Sequence, residues 1–215
     1  MAQLGRPRSF DRDEALQRAM EVFWALGYEG ATLEDLQIAM GGITAPSFYA
    51  AFGSKEKLFL EAVELYRRTV GIIPMDALTQ TVTACASVEA MLRAAVDCFC
   101  RRDRPHGCLI VLGTMNCSRA SSKVQKHLLV LRQKRGEQIK RRLERGVAEG
   151  DLPSDTDVPA LASFYTAALL GLCMHARDGA SRKALMAAVG GAMAAWDNLV
   201  ERRNSPGVTT KSLVL

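Results

Sequence analysis

Apolar residues recur along the first seventy positions at the spacing of short amphipathic helices. Leu16, Ala19, Met20, Phe23 and Leu26 form one stripe of period 3.6. Asp11 with Glu14 has the spacing of a capping box at its start, and Gly27 is its stop. Thr32 with Asp35 repeats the box and opens a short helix with Leu33, Leu36 and Ala39 inward, stopped by Gly41 and Gly42. Thr44 caps a third helix that tolerates Pro46 in its first turn, sets Phe48 and Phe52 on one face, and ends at Gly53. Ser54 caps a fourth, which carries Leu58, Phe59, Ala62, Val63 and Tyr66. Helices shorter than about 12 residues are marginal in water, so these must pack on one another. Two short helices around a glycine turn predict a helix-turn-helix, whose second helix is offered to the DNA major groove.

Beyond Val70 the pattern lengthens, predicting helices over 87–102, 107–118, 121–149, 157–177 and 181–203, with Gly150 and Pro153 ending the long middle one. The expected fold is all-α. A helix-turn-helix domain over 1–53 is joined by a linking helix at 54–70 to a larger helical dimerisation domain over 71–204, with a flexible tail at 205–215. Residues 158–176 carry no charged side chain and could span a membrane by length. A cap at Asp157, Pro159 in the first turn, and Ser163, Tyr165, Thr166 and His175 within the run favour a buried helix instead. Ala184–Trp196 is uncharged too. Two such helices at the end of a small domain need more cover than one chain supplies, which predicts a homodimer closed by a four-helix bundle. The expected interface residues are Leu161, Tyr165, Leu169, Leu172, Val189, Met193 and Trp196, with Gly190, Gly191, Ala194 and Ala195 allowing close approach. On that placement Val189→Glu yields monomers.

Composition sharpens this picture only in places. Of 215 residues 48% are hydrophobic and 6% aromatic, ample for a helical core. The net charge of +5 is unevenly spread: residues 1–70 hold 8 Lys and Arg against 10 Asp and Glu, whereas residues 71–215 hold 20 against 13. Overall basicity is therefore no argument for nucleic-acid binding by the N-terminal part. Ten of the cations fall between Arg119 and Arg145 with two Glu, a run that reads as a solvated face rather than a second nucleic-acid site. The opening stretch has two arginines but no apolar segment of a secretory signal, so a cytoplasmic chain with reduced thiols is expected. Cys98, Cys100, His106, Cys108, Met115 and Cys117 could suit a soft metal, yet the spacing is no structural zinc pattern, and buried inert thiols are the preferred reading. His175 reads as a core histidine. No G-x-S-x-G, P-loop or H-E-x-x-H motif is present, and an enzyme is not expected.

The stretches RPRSFDRDEALQRAMEVFWALGYEGATLEDL and GITAPSFYAAFGSKEKLFLEAV, with Thr32, Gly42, Tyr49, Phe52, Ser54, Lys55 and Leu58 in characteristic places, resemble the N-terminal domain of the TetR/AcrR family of bacterial transcriptional regulators. PHGCLIVLGTMNC resembles, more weakly, the sixth helix of one branch. The resemblance implies a homodimeric, ligand-responsive repressor that binds a palindromic double-stranded operator and is released by a small-molecule effector, with no cofactor. It places Thr44, Ala45, Pro46 and Ser47 at the start of the recognition helix, Tyr49 on backbone or base, and Thr32 and Lys55 on phosphate. Helix N-termini favour phosphate on physical grounds as well. Arg6 and Arg8, ahead of the first helix, are expected in the adjacent minor groove. From Leu36 to Tyr49 the chain is one residue longer than the usual pattern, with Gly41 and Gly42 where one glycine is customary. Phe99, Met115, Cys117, Phe164 and Cys173 are the expected effector-pocket residues. The competing reading is a helical protein binding a small molecule, soft metal or oxidant without operator recognition.

Overall fold

The computed structural model describes residues 11–115 and 117–201. Arg6, Arg8 and the tail at 205–215 lie outside them. The described residues form α1 (Arg12–Gly30), α2 (Leu33–Ala39), α3 (Ala45–Phe52), α4 (Lys55–Thr69), α5 (Ile73–Ala77), α6 (Ala84–Phe99), α7 (Leu109–Leu112), α8 (Ser122–Ala148), α9 (Val158–Arg177), α10 (Arg182–Ala194) and α11 (Trp196–Val200), and no strand.

The helix starts follow the local chemistry. Asp11 accepts from the Asp13 and Glu14 amides, Thr32 and Asp35 cap each other, and Thr44 and Ser54 accept from the Ser47 and Lys57 amides. The reciprocal half of the first box is not made, because Glu14 pairs with Arg18. At Gly27 (φ 75°, ψ 175°) α1 kinks and then completes one more turn, which leaves Leu26 51% exposed rather than in the core. α1 packs on α4 through aromatic edges: Phe23 meets Phe59 at 5.0 Å between ring centres and Trp24 meets Tyr66 at 4.7 Å. Phe48 and Phe52 anchor α3 to this core.

Three predictions for the larger domain are revised. The expected helix at 107–118 is a single turn, α7, because the chain beyond it makes long-range bonds instead of helical ones: the Gly113 carbonyl accepts from Tyr28 N–H at 2.8 Å and the Cys117 carbonyl from Gln125 at 3.0 Å. The 181–203 helix breaks at Ala195, so that Trp196 turns inward against Tyr165. Last, α5 forms where no helix was expected, and it packs on α6.

Helix α8 shows why ten cations fit on one helix. Leu128, Arg135 and Arg142 stand seven residues apart, as do Arg132, Ile139 and Gly146, so three arginines occupy the apolar stripe of α8 and point inward. Arg132 donates to the Ile110 carbonyl, Arg135 to Gly71 and Cys108, and Arg142 to Ser87 and Val82. Lys123, Lys140, Arg141 and Arg145 pair with carboxylates. The solvated-face reading holds for the remainder of the run and fails for those three.

Helix α9 is long and apolar enough to cross a membrane, with a mean hydropathy of 1.4, and one side of it packs on α6, α8 and α10. Leu161, Tyr165, Leu169, Leu172, Val189 and Trp196 are at most 6% exposed within the chain's own core. They have no surface left to give a partner. Met193 is half-buried, and the open stripe is made of other residues: Phe164, Ala167 and Gly171 on α9, and Ala184, Ala187, Ala188, Gly191 and Ala194 on α10. Apart from Phe164, the large side chains fill the monomer core and the small ones are left outside.

Candidate nucleic-acid interface and its link to the larger domain

The helix-turn-helix takes up its double glycine in the closure of α2. Gly41 N–H bonds the Ile38 carbonyl at 3.1 Å and Gly42 N–H the Gln37 carbonyl at 2.9 Å, a Schellman closure of α2. Both glycines have positive φ, 88° and 75°, which few other residues adopt cheaply. The Gln37 side chain then donates to the Ile43 carbonyl at 3.0 Å, pinning the exit of the turn. With the extra residue taken up there, Phe48 and Phe52 still face inward.

The outward face of α3 carries the expected residues. Thr44, Pro46, Ser47 and Tyr49 are exposed, Tyr49 by 52%, and Ala45 is half-buried. Tyr49 stands edge-on to Phe48, ring centres 5.3 Å apart, so the core aromatic orients the exposed one. Thr44 and Ser47 share a hydrogen bond of 3.0 Å. The Thr32 hydroxyl is engaged with Asp35, and the Lys55 ammonium rests 4.8 Å over the Tyr28 ring, half-buried, with Glu29 and Asp35 near. Burial pushes the Lys55 pKa down, against the pull of those two carboxylates. In this structure Thr32 and Lys55 are thus spent on intramolecular partners.

The two halves of the chain meet at a seam that local sequence patterns do not reveal. Besides Tyr28 to Gly113, Arg177 donates to the Ala25 carbonyl at 2.6 Å. Glu29 accepts from the Ser118 amide, the Ser118 hydroxyl and the Ser121 hydroxyl at 3.0, 2.8 and 2.6 Å. These hydrogen bonds, that of Ser121 foremost, lower its pKa from 4.5 to about 2. A depressed carboxylate pKa means that the seam gains stability above the ordinary value and loses it as pH falls towards the folded value. Glu29→Gln should therefore lower the thermal midpoint at neutral pH, and the difference from wild type should shrink below pH 4.5 and vanish only as pH falls through the folded value of about 2. A gap that persists in acid would show that the carboxylate charge is not what holds the seam.

Behind α7 lies a second constellation. The Cys108 thiol is fully buried, 3.1 Å from an Arg135 guanidinium nitrogen, with the Tyr66 hydroxyl alongside. Burial pushes this thiol up, but Arg135, Tyr66 and the Val111 amide outweigh it and hold it below the ordinary thiol value. Phe99 and Cys108 line the same nearly filled cavity, and Cys173 packs close by with its own thiol pushed up by burial. Of the expected pocket residues, Phe99 and Cys173 are therefore brought together. Met115 (51% exposed) and Phe164 (38%) lie on the surface, and Cys117 sits at the seam beside Glu29 and Lys55. Sequence reasoning passed over Arg135 and Tyr66; the sevenfold spacing of arginine with leucine on α8 was the available signal for the first. Among the described residues no group of three His, Cys, Asp or Glu is placed to hold a metal.

Comparison with known proteins agrees with this geometry. Residues 15–62 match the family described as bacterial regulatory proteins, tetR family, and residues 84–192 match the tetracyclin repressor-like C-terminal domain. The HTH-type transcriptional repressor ComR of Escherichia coli is 34% identical over 203 residues, covering 92% of this chain and 94% of ComR. The HTH-type transcriptional regulator YezE of Bacillus subtilis is 27% identical over 175 residues, 81% of this chain and 90% of YezE. Among solved structures, a cysteine-substituted TetR family transcriptional regulator CifR complexed with 26-bp double-strand operator DNA is 45% identical. It has a TM-score of 0.85 over 89% of this chain and all of that one. With both halves matched and the helix-turn-helix intact, the chain belongs to the TetR family of bacterial transcriptional regulators.

Proposed function

We propose that the chain is a homodimeric repressor that binds a palindromic operator through α3 of each protomer and leaves it when a small molecule occupies the larger domain. The observation that carries this reading is the division of α3: Phe48 and Phe52 lock it to the core, while Thr44, Pro46, Ser47 and Tyr49 stand clear on the opposite side. An α-helix presented so fits the major groove, and the small side chains leave base selection to Ser47, Tyr49, methyl contacts and DNA shape. Thr32 and Lys55 would reach phosphate on exchanging their intramolecular partners, and Arg6 and Arg8 would supply minor-groove contacts. The dimer is formed by the small-residue stripe of α9 and α10, around Ala187 and Gly191, rather than by the large residues beneath it. The operator structure of CifR, similar over the whole length of that protein, supports the same arrangement here. Phe99 and Cys173, grouped with Cys108 behind Arg135, would border the effector region rather than fill it.

The test is selection of bound sequences from a random duplex pool at two salt concentrations. A palindromic motif with half-sites about one helical turn apart or a multiple of it is expected, its affinity falling steeply with salt. Enrichment of no motif would discard operator recognition in favour of a helical small-molecule binding protein.

A further inference from the structure

Between the end of α4, α5 and the middle of α8 lies an open cleft of about 310 Å³. Its apolar side is Ile72, Met75, Ile110 and Leu131; its polar side is Arg67, Lys134, Arg135 and Arg141 with the single carboxylate Glu137. Two of the cations are already compensated, Arg67 by both oxygens of Glu64 and Arg141 by Glu137. Among the described residues Lys134 has no ion pair, and Arg135 bonds a carbonyl and a thiol but no carboxylate. An apolar wall facing two cations that lack a carboxylate partner complements a molecule with a hydrocarbon body and one anionic head.

Arg135 makes this cleft more than a charged surface. Its guanidinium faces both the cleft and the closed cavity behind it, donating to Gly71 at 3.2 Å and to the Cys108 sulfur at 3.1 Å. Gly71 follows the C-terminus of α4, which runs back to the recognition helix. Cys108 begins α7, and one turn later Gly113 accepts from Tyr28 of α1. Each partner of Arg135 is thus the near end of a short path into the DNA-binding half.

We propose that the cleft is the effector site, that its ligand is a small amphipathic carboxylate held by Lys134 and Arg135, and that the carboxylate draws Arg135 off Gly71 and Cys108. This rests on the repressor reading for its consequence, loss of operator affinity, but not for the binding itself. A carboxylate gives Arg135 a charged, bidentate partner in place of a carbonyl and a thiol. Released, the α4 terminus and α7 shift the spacing of the two recognition helices.

The full chain is titrated calorimetrically, without DNA, with octanoate, octan-1-ol and octylamine, which share one hydrocarbon body. Octanoate should bind at least about tenfold tighter than the alcohol, the amine should not bind, and the octanoate affinity should fall as salt rises. Lys134→Glu should abolish octanoate binding, while Lys126→Gln, exposed on α8 outside the cleft, should leave it unchanged. Equal binding of acid and alcohol, or octanoate binding unaffected in Lys134→Glu, overturns the site. Octanoate is then added to the operator complex. Release confirms the coupling, and binding without release overturns it while leaving the repressor reading intact. A failure of operator recognition would show in the duplex selection and not in the calorimetry.

Discussion

A protein carrying Ala187→Glu and Gly191→Glu should sediment as a monomer with its thermal unfolding little changed and its operator affinity lower by at least about a hundredfold. Both positions are exposed on α10, and an added Cβ at Gly191 meets nothing within 4 Å in the monomer. In a two-fold interface each substitution appears twice, so four carboxylates would face one another away from water, at a cost of several kcal/mol per buried ion. The loss of operator affinity follows because two half-sites bound by a linked pair gain an effective concentration that separate monomers lack. Val189→Glu is the contrasting variant. Val189 is fully buried in its own chain, so a charge there should unfold the protein rather than dissociate it. Sedimentation of both proteins decides the matter: a dimer that survives the double substitution moves the interface elsewhere.

Neighbouring residues of α3 should separate stability from recognition in the same way. Phe48→Ala removes a fully buried ring at the meeting of α3 with its core, a change that costs about 3–5 kcal/mol in typical cores. Set against a total of about 5–15 kcal/mol, that is enough to melt the helix-turn-helix near physiological temperature. Tyr49→Ala, one position on and half exposed, should leave the unfolding midpoint within experimental error and reduce operator affinity by at least about thirtyfold, since a lost base contact costs about 1–3 kcal/mol and the dimer loses one in each half-site. Chemical denaturation and operator titration of the two variants give opposite patterns if α3 is oriented as described. Equal operator affinity for wild type and Tyr49→Ala would mean that another face of α3 meets the bases.

What the sequence made legible is what physics keeps local. A cap is a bond between residues two or three apart, so Asp11, Thr32, Thr44, Ser54 and Asp157 announced their helices, and each cap is present. Phe48 and Phe52 announced their face by spacing. The failures lie where distant partners decide. Nothing near Gly113 or Cys117 says that their carbonyls accept from Tyr28 and Gln125, yet those bonds reduce an expected helix to one turn. In α9 and α10 both faces lack charge, so the pattern located an apolar pair of helices without telling the face that fills the monomer from the face left for a partner. Arg135 and Arg142 were read with the charged run although their register with Leu128 placed them inward.

Helix α7 has only four residues, Leu109–Leu112, and is tied at one end through Cys108 to Arg135 and at the other through Gly113 to Tyr28. A single helical turn fixed at both ends has no internal slack, so it conveys a displacement in either direction. Thermodynamic reciprocity then makes the operator itself a regulator of the cleft: whatever factor an occupied cleft takes from DNA affinity, bound DNA must take from ligand affinity. Protein on its operator would thus respond only at ligand concentrations above those that saturate protein free in solution, and the number of operator copies would set the concentration at which the population responds.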